Sequence, residues 1–181
     1  MSAEVIELGS LPTARDARLP IAFERLFDAE YARVVRIAQR VLGDPGEAED
    51  VAQEAFVSFY RSHPADAAFA AAWLHAAAAH GALNALRGRK RRVDRETRDA
   101  LERASSAVAD PETEAVAAEE RAFVREALAR IPAKSACVLA LRYSGLSYAE
   151  VAGAIGVNTD QIGTLLRRAE DALRKEVMRH G

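Results

Sequence analysis

Residues 147–168 read SYAEVAGAIGVNTDQIGTLLRR, and the fold turns on them. Ser147 with Glu150 three residues on is a capping box, in which each side chain satisfies a backbone N–H of the other at a helix start. Val151, Ala152 and Ile155 then face inward, Ala152 being small where two helices must cross closely. Gly156 falls where a turn needs left-handed backbone, which glycine adopts without a Cβ penalty. Val157 fills the space behind the turn, and Asn158 with Gln161 at the third position reads as a second cap. Ile162, Leu165 and Leu166 anchor the second helix from below. These are the spacings of a helix-turn-helix whose second helix enters the major groove of DNA. Its outward face carries Thr159, Asp160, Gln161, Thr164, Arg167 and Arg168. The plainer reading is a helical hairpin that only packs, but the alanine, glycine and isoleucine at these offsets favour a DNA reader. Gly163 in mid-helix costs about 1 kcal/mol relative to alanine. Either the backbone approaches something closely there, or the reader is weak.

Upstream of this segment the apolar spacing stays helical, with no sustained period-two alternation. Phe123, Val124, Ala127, Leu128 and Ile131 precede Pro132, and a short helix from Lys134 to Tyr143 turns Val138, Leu139 and Leu141 inward before Gly145. Between Ala107 and Glu120 stand Asp110, Glu112, Glu114, Glu119 and Glu120 with no basic residue, and Pro111 interrupts them. Such a stretch reads as a flexible acidic linker. Before it, a helix starting near Phe69 runs through Trp73 and Leu74 to a basic cluster, Arg87, Arg89, Lys90, Arg91 and Arg92. Like charges so crowded repel unless an anion compensates them. DNA phosphates would do so, with affinity set by counterion release; a solvated charge run at a domain end is the alternative.

The first two helices are read from their stripes. Phe23, Leu26, Phe27, Val34, Ile37, Ala38, Val41 and Leu42 form one, stopped by Gly43. Asp44 caps the next, with Pro45 at the first helical position and Glu47 three residues on. That helix buries Ala48, Val51, Ala52, Ala55, Phe56 and Phe59, and leaves Asp50, Gln53 and Glu54 as one polar patch, since positions three and four apart are neighbours. Taken alone, such a patch is usually a solvated face. The expected fold is all-α: a leader over 1–20, a helical domain over 21–92, a linker over 93–119, and a second helical domain over 120–181 containing the helix-turn-helix.

Composition agrees and excludes much else. The chain has 181 residues, half of them hydrophobic but only 6% aromatic, so alanine-rich helices supply the core. The formal net charge is -2, so any nucleic-acid binding must come from the distribution of charge rather than its total. A single cysteine, Cys137, rules out an internal disulfide framework and fits a reducing cytosol. No apolar run approaches the roughly 20 residues of a membrane span, and residues 1–20 lack the features of a secretory signal. His63, His75, His80 and His180 form no metal-binding spacing. Cys137 reads as a buried thiol and Trp73 as a core anchor. The chain is expected to be cytoplasmic, with no cofactor, metal or catalytic constellation, hence not an enzyme.

The order of segments is more specific than any one of them. Ala48-Glu49-Asp50-Val51-Ala52-Gln53-Glu54-Ala55-Phe56 resembles the polymerase-binding helix of sigma factors. Trp73-Leu74 and the small-residue helix ending in Arg87–Arg92 resemble their promoter-melting region. Ile131-Pro132, Leu141-Arg142-Tyr143, Gly145-Leu146-Ser147-Tyr148-Ala149-Glu150-Val151-Ala152 and Arg168-Ala169 resemble their promoter-reading domain. The chain is most similar to the extracytoplasmic-function class, and the resemblance spans Phe23 to Lys175. It implies that Asp50, Gln53 and Glu54 dock on the clamp helices of the largest subunit of core RNA polymerase. It also implies that the helix after Trp73, with His80, Asn84 and the basic cluster, contacts the melted minus-ten element of promoter DNA. The helix-turn-helix, with Ser147 and Tyr148, would read the minus-thirty-five element near the polymerase flap. The linker would thread toward the RNA exit path, and an anti-sigma factor would cover the same surfaces.

The chain departs from the family pattern at several of these positions. The family usually has asparagine at His80, aspartate at Asn84, arginine at Ala136, and lysine and arginine at Gly163 and Leu165. Each lost phosphate contact lowers affinity and salt dependence, so minus-thirty-five binding is expected to be weak and to rest on Arg167, Arg168 and Arg174. Two alternatives stay open. A sigma-like protein that titrates an anti-sigma factor would keep the fold and lose DNA contacts. A conventional helix-turn-helix regulator would account for residues after Phe123 but not for the N-terminal half.

Overall fold

The computed structural model describes residues 19–101 and 114–180, and no strand occurs among them. Seven helices follow one another: α1 (Ile21–Leu42), α2 (Pro45–Ser62), α3 (Ala70–Leu101), α4 (Glu114–Arg130), α5 (Ala133–Tyr143), α6 (Tyr148–Ile155) and α7 (Ile162–His180). The leader expected before residue 19 and the acids Asp110 and Glu112 of the expected linker lie outside the described residues. Helix α3 continues past Arg92 to Leu101, and α4 begins at Glu114, so helix occupies much of the stretch where apolar periodicity fades. Its residues Arg91, Arg92, Arg95 and Glu96 are good helix formers even without an apolar stripe.

Local chemistry sets most of the boundaries. Asp44 accepts a hydrogen bond from the Glu47 N–H at 2.8 Å, and Pro45 sits in the first turn where its missing N–H costs nothing. Gly43 closes α1 at φ 74°, its N–H donating to the Gln39 carbonyl. Ser147 and Glu150 form the full capping box at the start of α6, and Gly156 ends that helix at φ 69°. The second expected cap is different. Asn158 makes no side-chain capping bond, and a single 3-10 turn, Thr159–Gln161, leads into α7 instead. A 3-10 entry reuses the chain's own carbonyls, with the Gln161 N–H donating to the Asn158 carbonyl at 3.1 Å, so the asparagine side chain is not needed.

The N-terminal core is built by α1, α2 and α3. Phe59, Ile37, Leu42, Leu74 and Leu83 are its largest fully buried side chains, and Ala38, Ala48, Ala52, Ala78, Ala79 and Ala82 are buried between them. Alanines at these crossings let the helix axes approach closely, since interaxial distance follows the side chains at the contact. Trp73 is half-buried, its ring 5.4 Å from Phe59 and 5.2 Å from His63. In the C-terminal half α5 is the central helix, buried from Ala136 to Leu141, with Leu146, Val151, Ala152, Ile162 and Ala169 around it.

The two halves share one contiguous buried core, because α3 packs on α5 and α6 as well as on α1 and α2. Replacing Phe59, which is fully buried at the centre of the N-terminal bundle, with alanine should lower the free energy of urea unfolding by about 3–5 kcal/mol. Equilibrium denaturation of the F59A chain, with an unchanged slope against denaturant, is the check.

Candidate nucleic-acid interface

The acidic patch of α2 stands clear of the fold. Asp50, Gln53 and Glu54 are all exposed, and none has an ion pair or hydrogen bond among the described residues. Val57, three and four positions further along the same helix, is 46% exposed and adds an apolar contact to that face. Its exposure could be suspected only from its place beside the patch, since sequence periodicity does not separate it from the core stripe. A cleft of about 400 Å³ between α2 and α3 is lined by Glu54, Trp73, Gly81 and Asn84, among others, so the acidic patch and the expected minus-ten position Asn84 meet at one surface.

The basic end of α3 is largely compensated from within the chain. Arg87 donates to the Ala129 and Ile131 carbonyls, both at 3.1 Å, at the C-terminal end of α4. Arg89 pairs with Glu47 of α2, and Lys90 pairs with Asp94 one turn on at 3.1 Å. Arg91 and Arg92 are exposed, and their side chains have no such partner among the described residues. His80 is exposed, yet its ring nitrogen lies 3.9 Å from the Cys137 sulfur of α5. Burial pushes the Cys137 thiol up to about 11. At neutral pH it is protonated and unreactive, as a core thiol should be.

The α6–turn–α7 unit presents Thr159, Asp160, Gln161, Thr164, Arg167 and Arg168 to solvent, and Ile162, fully buried, fixes α7 from beneath. A cleft of about 430 Å³ brings Asp160, Gln161, Thr164 and Arg168 beside Lys134 of α5. Lys134 was not legible as a site residue because it lies on a different helix, with no spacing that ties it to α7. No atom lies within 4 Å of a Cβ built on Gly163, so no close backbone approach within the chain accounts for that glycine. Ala136 is fully buried. An arginine there would have to bury a charge or unpack α5. Ser147 is committed to the capping box, and Tyr148 is 41% exposed under the Arg142 guanidinium, 5.5 Å from its ring centre.

One ion pair joins the two halves directly. Arg33 of α1 donates to Glu150 of α6 at 2.5 Å, while the other Glu150 oxygen accepts from the Ser147 N–H at 2.7 Å and from its hydroxyl at 2.8 Å. In the N-terminal bundle, buried His75 is hydrogen-bonded to Glu30 at 2.8 Å.

Comparison with known proteins follows this geometry. The model of sigma-70 region 2 matches residues 26–92, the span of α1 to the basic end of α3. ECF RNA polymerase sigma factor SigK of Mycobacterium ulcerans is 32% identical over 160 residues, covering 84% of this chain and 82% of its own. The chain belongs to the ECF sigma factors. SigW of Bacillus subtilis is 29% identical over 167 residues, covering 86% of this sigma factor and 89% of its own length. A solved structure of CnrH in complex with the cytosolic domain of CnrY shares the fold, with 19% identity, a TM-score of 0.52, and coverage of 88% and 89% of the two chains. No helix of this sigma factor, among the described residues, is long and apolar enough to cross a membrane.

Glu150 gives the sigma factor a measurable acid response. The Ser147 N–H, then its hydroxyl, then Arg33 hold the carboxyl well below its ordinary 4.5, at about 2. A depressed folded value means that the stabilisation is complete above about 4.5 and is lost as pH falls through about 2. The stability difference between the native chain and E150Q should therefore shrink steadily from pH 4.5 to pH 2, as followed by urea denaturation at each pH.

Proposed function

We propose that this chain is an alternative sigma factor that binds core RNA polymerase and directs promoter-specific initiation by recognising and melting promoter DNA. The observation that carries the reading is the joint presence of two surfaces in one chain. An acidic face on α2 that has no partner among the described residues and a cation-bearing α7 occur together in a chain that SigK matches over 84% of its length. A conventional regulator has use for the second surface and none for the first. Asp50, Gln53 and Glu54, with Val57 beside them, would dock on the clamp helices of the largest polymerase subunit. They are open to solvent and hold no partner among the described residues, so docking breaks no contact described there.

The promoter contacts divide by how much each must give up. Arg91, Arg92, Arg167 and Arg168 are exposed and ready to meet phosphates. Arg87, Arg89 and Lys90 hold carbonyls or carboxylates of the chain and would exchange them for DNA. His80 and Asn84 are exposed on α3 and would face the minus-ten bases. Thr159, Asp160, Gln161 and Thr164 on the α7 face, with Ser147 and Tyr148 at the start of α6, would face the minus-thirty-five element. An anti-sigma factor would regulate the chain by covering these same surfaces. The protein would act in the cytoplasm, with chemistry left to the polymerase.

A second reading, a sigma-like protein that titrates an anti-sigma factor, is favoured by one group of residues. Ala136 is buried, Gly163 offers no side chain and Leu165 is half-buried, so the three cations usual in the family are absent from the C-terminal half. Both readings need the α2 face to be a binding surface, but only the first needs it for polymerase. Replacing Asp50 and Gln53 together by alanine should weaken binding to core polymerase at least tenfold, about 1.4 kcal/mol, while the far-ultraviolet spectrum stays unchanged. Fluorescence anisotropy of the labelled chain against purified core measures this, and equal affinity of the double variant would remove the docking assignment.

A further inference from the structure

Arg36 and Arg40 of α1 and Arg121 and Arg125 of α4 line one open cleft of about 580 Å³, with Gln39 and Gly43 completing its wall. No carboxylate is among the lining residues, and none of the four arginines has an ion pair among the described residues. The two acids nearest after Gly43 in the chain are already engaged: Asp44 caps the Glu47 N–H, and Glu47 holds Arg89. The C-terminal end of α1 supplies some relief. The Arg125 guanidinium lies so close over Gly43, the residue that ends the helix, that a Cβ there would meet its Nη1 at 2.6 Å. A helix end carries only about half a negative charge, which cannot balance four guanidinium groups. In a chain whose formal net charge is -2, four cations that converge from two elements and have no ion pair among the described residues form a site short of an anion.

We propose that this cleft binds a compact, multiply charged phosphate ligand, through the di- or triphosphate group of a small molecule. Arginine forks donate to phosphate oxygens two at a time, and several such forks around one cleft suit a chain of phosphates better than a single carboxylate. The cleft joins α1 of the N-terminal half to α4 of the C-terminal half. A bound polyphosphate therefore clamps the closed arrangement, in which Arg87 is held by the Ala129 and Ile131 carbonyls and withheld from DNA. The ligand becomes a brake on the promoter surfaces, by binding one arrangement of the halves better than the other. The cleft itself is independent of the polymerase reading; only the brake rests on it.

Calorimetric titration of the full chain with inorganic tripolyphosphate, and separately with a nucleoside triphosphate, tests the site at low and at physiological salt. Saturable one-to-one binding is expected, reduced at least tenfold in R36Q/R40Q and independently in R121Q, whose side chains are exposed and whose thermal unfolding without ligand should match the native chain. Equal affinity for the two ligands assigns recognition to the phosphate chain alone, and tighter binding of the nucleotide adds a contact to its base; both support the site. Absence of saturable binding, or undiminished binding by both variants, overturns it. Loss of single-stranded DNA binding in R36Q/R40Q with no tripolyphosphate binding also overturns it, by assigning the arginines to a nucleic-acid backbone.

Discussion

The packing of α3 against both halves of the molecule is the constraint on which the rest depends. Its first turns bury Leu74, Ala78, Ala79, Ala82 and Leu83, and alanine at three of these places lets neighbouring helices come close. α1 and α2 use that surface from the N-terminal side, and α5 and α6 use it from the C-terminal side. Ala72 of α3 lies within ordinary contact distance of a Cβ built on Gly153 of α6, so small residues face each other there as well. Small residues at the crossings therefore let the large apolar side chains of both halves meet in one core.

Charge then decides which surfaces are free. The chain spends Glu47 on Arg89, Asp94 on Lys90 and Glu150 on Arg33, and it uses two carbonyls at the end of α4 to hold Arg87. Exposed ion pairs of this kind contribute little each, about 0–1 kcal/mol, so they can be exchanged for DNA or protein contacts at small cost. The Arg87 contacts differ, because they end on backbone carbonyls of the opposite half. The same contacts that tie the halves together thus leave Arg87 less accessible than Arg91 and Arg92.

Local signals were readable wherever a residue's role is set by its near neighbours. The Ser147–Glu150 box, the left-handed Gly156, the Asp44–Pro45 start of α2 and the buried stripe of α5 all follow from short-range rules, and the structure has each of them. The Asn158 cap failed because a 3-10 turn competed for the same N–H groups and used backbone carbonyls instead. The far end of α3 was obscured because a charged helix without an apolar stripe looks like a linker to a periodicity test. Contacts between distant segments left no local trace. Arg33 and Glu150 are 117 positions apart, and nothing in either neighbourhood marks the partner. Lys134 joins the α7 face by the same kind of long-range placement. The placement of Asp50, Gln53 and Glu54 on one open face was legible, since a single helix supplies all three.

The most direct test of the account is run-off transcription from a library of genomic fragments, using purified core RNA polymerase with and without the chain. The account predicts discrete new start sites, present only when the chain is added and sharing an upstream sequence element. Core polymerase whose pattern of starts is unchanged by the chain would contradict it.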